Sequence, residues 1–155
     1  MDRYDRLILA ALLENGRASF AQLARHVNLS APAVAERVAK LEASGIITGY
    51  TAKVNLDRIG LPIQCLVELR LSHHGNPQAY EALARIPQLT QCHRVTGDAC
   101  VVLLAAVGSM EELETVIDQI AQFGFSKTSI ILSSPIEQRV PLEHLLQAGR
   151  KAQAL

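Results

Sequence analysis

The chain has 155 residues, 49% of them hydrophobic but only 4% aromatic with no Trp, so it can bury a core and that core is aliphatic. No apolar run is long enough to span a bilayer, and the charged start Met1-Asp2-Arg3-Tyr4-Asp5-Arg6 is no cleavable leader; the reading is a soluble, cytoplasmic protein. The formal charge of zero divides unevenly, with eight Lys/Arg against six Asp/Glu in residues 1–60 and seven against nine beyond, a sign that suits a nucleic-acid-facing first part but proves nothing alone.

Three helical patterns come first. Leu7, Ile8, Ala11 and Leu12 recur at helical spacing up to Asn15-Gly16, a left-handed stop. Ser19-Phe20-Ala21-Gln22 spells a capping box for a second helix that carries Leu23 and Ala24 inward and ends near His26. After the Val27-Asn28-Leu29 turn, Ser30 caps a third helix with Pro32 in its first turn, where a missing N–H costs little. That helix turns Val34, Val38 and Leu41 inward and stops at Ser44-Gly45. Helix, short turn and a longer capped helix are the arrangement that sets a helix into a DNA groove.

The period then changes. Ile46 to Leu56 reads as extended, and Ile59-Gly60-Leu61-Pro62 as a hinge. From Ile63 the residues Ile63, Cys65, Val67, Leu69 and Leu71 alternate with Gln64, Glu68, Arg70 and Ser72, broken only by Leu66, which predicts a strand. The turn His74-Gly75-Asn76-Pro77 leads into a helix with Tyr80, Leu83 and Ala84 inward, stopped by Pro87. Leu89 to Val95 predicts a strand, Gly97-Asp98 a turn, and the apolar run Cys100 to Val107 a central strand covered on both faces. Ser109-Met110-Glu111-Glu112 is a further capping box; the helix behind it bears the stripe Leu113, Val116, Ile117 and Ile120 and ends at Phe123-Gly124. Phe125 to Ser133 is the last strand. The order β-α-β-β-α-β is the ferredoxin-like plan, an antiparallel sheet with both helices on one face. The other face then needs cover, which predicts a homodimer with sheets facing. The cysteines Cys65, Cys92 and Cys100 are odd in number, lack C-x-x-C spacing and sit in strand-like segments, so they read as buried hydrophobes in a reducing compartment.

These pieces closely resemble one family. Arg17-Ala18-Ser19 before Leu23-Ala24, then Leu29-Ser30, Arg37-Val38-Ala39-Lys40-Leu41-Glu42 and Gly45-Ile46-Ile47-Thr48-Gly49-Tyr50-Thr51-Ala52 are similar to the Lrp/AsnC (feast/famine) regulators, and the resemblance runs through Gly97-Asp98 to about residue 140. It implies an α+β chain: a winged-type helix-turn-helix over 1–49, a hinge strand and linker over 50–61, a ferredoxin-like βαββαβ domain of the RAM/AsnC type over 62–134, and a tail over 135–155. It further implies a transcriptional regulator with double-stranded DNA as partner, dimers gathered as a tetramer of dimers, and a small-molecule effector such as an amino acid.

With Val34, Val38 and Leu41 inward, Pro32, Ala33, Glu36 and Lys40 fall outward or flanking, with Arg37 at the margin, and Ala31, Ala33 and Ala35 offer only methyl contacts. Glu36 suits a cytosine amino group, and Arg37 is either a guanine or phosphate contact or an ion-pair partner inside the helical domain. Lys40, Arg25 and Arg17 read as phosphate contacts, and the Ser30 end offers helix N–H groups to a phosphate. The alanine-rich surface offers few readers, so dimerisation and DNA deformability must supply much of the specificity. In the family the sensor loop reads Gly-Asp-aromatic-Asp; here it is Gly97-Asp98-Ala99-Cys100, which keeps the turn glycine and one carboxylate. Either the ligand differs, or the pocket is degenerate and assembly alone acts.

Other classes are weaker. His73-His74 and Cys92-His93 carry zinc-type donors without zinc-motif spacing, so no metal is expected. Proteins of this architecture include siroheme decarboxylases, which singles out His93 and Arg94, but the chain shows no further tetrapyrrole-handling residues and no catalytic constellation, so no cofactor and no enzyme are expected. An assembly protein that no longer binds DNA is the remaining alternative. The tail from Pro135 to Leu155, with Arg139, Arg150 and Lys151, reads as a helix against a neighbour or a mobile end.

Overall fold

In the computed structural model, which describes residues 1–73, 77–137 and 140–141, the chain divides into two compact units: 1–53 with the described residues beyond Pro135, and 54–135. The tail from residue 142, Arg139, and the turn His74-Gly75-Asn76 lie outside the described residues.

The first unit is three helices: α1 (Arg3–Glu14), α2 (Phe20–Val27) and α3 (Ala31–Ala43). Each begins where a short polar side chain closes the free N–H groups. At α2 the box is reciprocal: Gln22 N–H donates to Ser19 Oγ at 3.2 Å and Ser19 N–H to Gln22 Oε1 at 2.7 Å. Asn28 takes the left-handed conformation (φ 55°) that ends α2 and turns the chain into α3. The α3 end is a Schellman closure: Gly45, at φ +70°, donates to Glu42 O (2.9 Å) and Ile46 to Leu41 O (3.0 Å). Ile8, Leu9, Leu23, Ala24, Val27, Val34, Val38 and Leu41 form the core. Leu7, Ala11 and Leu12 of the predicted stripe pack only at its edge.

Ile46 to Leu56, expected as a hinge strand, joins no ladder among the described residues. A strand exists only where another strand accepts its hydrogen bonds, and a single chain offers none here.

In the second unit β1 (Ile63–Leu71), α4 (Pro77–Leu83), β2 (Leu89–Arg94), β3 (Val101–Val107), α5 (Met110–Ala121) and β4 (Gly124–Ile130) follow a 3₁₀ turn at Asp57–Ile59. The sheet order is β2-β3-β1-β4, antiparallel throughout, as the ferredoxin-like plan requires. Cys65, Val67, Leu69, Leu71, Val101, Leu103, Ala105 and Val107 meet Ala79 and Leu83 of α4 and Leu113, Val116 and Ile120 of α5 in one core. Helix α4 is short, so Ala84 is exposed and Ile86 turns in instead. Gly124 is dictated by close approach, since a Cβ there would collide with the Arg70 carbonyl across β1 and β4.

Two expectations change. Among the described residues β3 is covered by helices on one face; on the other, Val102 and Leu104 are half-buried and Ala106 is buried. Cys65 is buried as read, but Cys100, just ahead of β3, is only half-buried and Cys92 is exposed because β2 is an edge strand.

Candidate nucleic-acid interface and effector loop

The inward stripe of α3 fixes which side chains remain outside. Ser30 is exposed and its Oγ accepts from Ala33 N–H at 3.4 Å; Ala31 and Ala33 are half-buried, while Glu36 and Lys40 stand exposed. Glu36 and Lys40 form an i,i+4 ion pair of 2.8 Å, and the Lys40 ammonium holds the Glu36 carboxyl below its ordinary range. Arg25 and Arg17 are exposed and pair with no carboxylate among the described residues.

Arg37 goes elsewhere. Its Nη1 donates to Asp2 Oδ2 at 2.6 Å and to Asp5 Oδ1 at 2.7 Å, and its guanidinium lies 5.4 Å from the Tyr4 ring centroid. Of the two alternatives for this residue, this is the geometry of the ion-pair partner. The bonds to Asp5 and Asp2 push the guanidinium pKa above its ordinary value. Burial pushes Asp2 up, but the Asp5 N–H and Arg37 outweigh it and hold the carboxyl below the ordinary value. Asp2 and Asp5 also cap α1 reciprocally, a box spelled Asp-x-x-Asp that the sequence reading passed over. Downstream, the Tyr50 hydroxyl donates to Glu42 Oε1 at 2.9 Å; burial first, and then this carboxylate, raises the Tyr50 pKa.

The effector loop joins β2 to β3. Val95 N–H donates to Cys100 O (3.1 Å), and Cys100 N–H donates to Leu69 O (3.0 Å), tying the loop to β1. Gly97 has φ +116° with open space where a Cβ would stand, so the backbone and not crowding demands glycine. Gly97 and Asp98 are exposed; Ala99 and Cys100 are half-buried. Arg70, unassigned from sequence, donates from Nε to Asp98 O at 3.1 Å. It lies 28 positions away, on the sheet face opposite the helices.

Cys92 pairs with the helix-side Leu103 and His93 with Val102, so the two side chains point to opposite faces and cannot close on one metal. The His93 ring shares a 2.9 Å hydrogen bond with Gln91, and Arg94 lies over the Tyr80 ring at 5.5 Å. Among the described residues no three His, Cys, Asp or Glu gather as a metal site, and no helix is long and apolar enough to cross a membrane.

Comparison with known proteins agrees with both units. Residues 1–42 match the AsnC-type helix-turn-helix domain and 64–141 the Lrp/AsnC ligand-binding domain. The HTH-type transcriptional regulator LrpC of Bacillus subtilis is 32% identical over 133 residues, 86% of this chain and 92% of that protein. Its solved structure superposes with a TM-score of 0.84 over 90% of this chain and 99% of that one. The leucine-responsive regulatory protein of Escherichia coli is 36% identical over 114 residues, 71% of this chain and 69% of that protein. The feast or famine regulatory protein of M. tuberculosis, solved in complex with L-methionine, is 30% identical with a TM-score of 0.85, covering 91% of this chain and 98% of that one. With a helix-turn-helix and a ligand-binding domain in this order and at this coverage, the chain belongs to the Lrp/AsnC family of transcriptional regulators.

Proposed function

We propose that the protein regulates transcription in the cytoplasm by laying α3 in the major groove of double-stranded DNA, as a homodimer gathered further into a tetramer of dimers. The observation that carries this is the division of α3: Val34, Val38 and Leu41 are buried, while the exposed Ser30 end and Lys40 remain on the outside. Lys40, Arg17 and Arg25 contact phosphates, and the free N–H groups at the Ser30 end take another. Ala31 and Ala33 offer methyl contacts, and Glu36 accepts from a base amino group once Lys40 turns to the backbone. The half-buried Leu66, Val102 and Leu104 on the open sheet face meet the same face of a second copy. We assign no residue a catalytic role, a reading supported by relatives that are named transcriptional regulators.

The loop Gly97, Asp98, Ala99 and Cys100 takes a small effector. The relative bound to L-methionine suggests the amino-acid class, but here only Asp98 supplies a carboxylate for an ammonium group, so ordinary amino acids should bind weakly. A mobility-shift titration against the upstream DNA tests the main reading: affinity should fall steeply with salt, and Lys40→Ala should flatten the slope by about one unit for every sequence. A salt slope that Lys40→Ala leaves untouched takes Lys40 off the DNA. Calorimetry with an amino-acid panel tests the effector, and tight binding of any ordinary amino acid refutes the weakened loop.

A further inference from the structure

We propose that the acidic first turn of α1 is a positioning element for the reading helix: Asp2 and Asp5 clamp Arg37 and so set how α3 meets DNA. All four carboxylate oxygens are engaged. Asp2 Oδ1 accepts from Asp5 N–H at 3.0 Å and Asp5 Oδ2 from Asp2 N–H at 2.7 Å, which closes the helix end. The other two oxygens hold Arg37 Nη1 at 2.6 and 2.7 Å. Tyr4, between the two acids, lies against the guanidinium. Arg6 Nη2 donates to Met1 O at 3.1 Å, fixing the residue ahead of the cap.

Capping alone does not explain this chemistry, because Ser or Asn closes a helix end about as well without charge. Two carboxylates in a unit that must approach a polyanion work against DNA affinity. They also leave Arg37, only 29% exposed at its side chain, with no net charge to offer a phosphate. What the arrangement supplies is a fixed separation. The clamp borders an open groove of about 590 Å³ between the start of α1 and α3, and there the ion pairs add a polar tie beside the apolar core that the two helices share. Arg37 lies one residue from Glu36 and three from Lys40, so its tether governs where the outward face of α3 points.

The inference rests on α3 being the reading helix. Dissociation constants are measured for the upstream site and for an unrelated duplex of equal length, from about 50 to 200 mM salt. The proteins are wild type, the double variant Asp2→Asn with Asp5→Asn, Arg37→Gln, Arg37→Lys, the Asn/Asn/Gln triple variant, and Lys40→Ala. Plain electrostatics makes the Asn pair bind any duplex more tightly. The clamp predicts the opposite for the specific site, a loss of about three- to tenfold, with the unrelated duplex unchanged or tighter. Arg37→Gln should match that loss, the triple variant should add nothing to it, and the Arg37→Gln salt slope should equal that of wild type. Arg37→Lys, which keeps the charge but loses the planar fork, should fall between, with melting temperatures confirming a folded unit. Equal tightening on both duplexes by the Asn pair, or a slope flattened by about one unit in Arg37→Gln, overturns the clamp. Binding untouched by both Lys40→Ala and Arg37→Gln removes α3 from the DNA, and the clamp falls with it.

Discussion

In residues 1–53 a small core from three helices is framed by polar closures: two reciprocal capping boxes, a Schellman turn and a two-acid clamp on one arginine. In residues 54–135 a larger core lies between one sheet face and two helices, and the opposite face is left apolar at Leu66, Val102 and Leu104. The helical unit closes its core with these polar bonds and keeps Arg17, Arg25 and Lys40 exposed. The sheet unit leaves apolar side chains half-buried on that face, which suits the assembly role proposed for it. Even the helix closures follow this division. Helix α5 is capped by Ser109 on Glu112 N–H, but the Glu112 side chain reaches Gly108 N–H and Gln88 rather than the Ser109 N–H of a closed box. The cap of α5 thus ties its helix to Gln88 of the sheet unit, whereas the α2 box closes on itself and the α1 box reaches on to Arg37 of α3.

The largest test of this division is a matched pair of core truncations. Leu23→Ala and Leu103→Ala, at positions 1% and 0% exposed, should each cost about 2–5 kcal/mol in their own unit. Mobility shift and sedimentation should then part: Leu23→Ala loses DNA binding and keeps assembly, while Leu103→Ala loses assembly first. Equal loss of both properties in both variants would show the units to be one cooperative body. Next comes Leu66→Glu on the open face, which buries an unpaired charge if a second sheet covers it. Sedimentation should show a monomer with unchanged circular dichroism; an unaltered oligomer moves the interface elsewhere.

Smaller effects test the polar closures. Ser19→Ala should lower the stability of the helical unit by about 1 kcal/mol, read by thermal melting. The smallest is in acid. Asp2 titrates below its ordinary 3.8, so the stability it adds is present above that value and fades as the pH falls through the lower folded one. Glu112, held down first by Gln88 and then by Gly108 N–H, behaves the same way in the sheet unit. Melting curves taken downward from pH 5 should fall less steeply for the Asp2→Asn, Asp5→Asn protein, and an unchanged profile would remove Asp2 from the acid response.

Local chemistry was legible in the chain wherever neighbours in sequence are partners in space. The Ser19 and Ser30 caps, the Ser44-Gly45 stop and the two-residue alternation of β1 are such cases, and each stands where the residues place it. The last strand reads less well: its ladder ends at Ile130 rather than Ser133, although Ile131 N–H still donates to Gln64 O of β1 at 2.8 Å. Cys92 could not be read as exposed, since its exposure depends on which strand becomes the edge.

From the sequence alone came the family, the two-part order of the chain and the helix and strand faces, because periodicity and capping act over three or four residues. Only the tertiary structure decided the partners of the long polar side chains. Arg37 finds its acids 32 and 35 positions away, and Arg70 meets the Asp98 carbonyl 28 positions away. A guanidinium at the margin of a helix has the same spelling whether it faces DNA or an acid, and only the packing of α1 on α3 brings Asp2 and Asp5 within its reach.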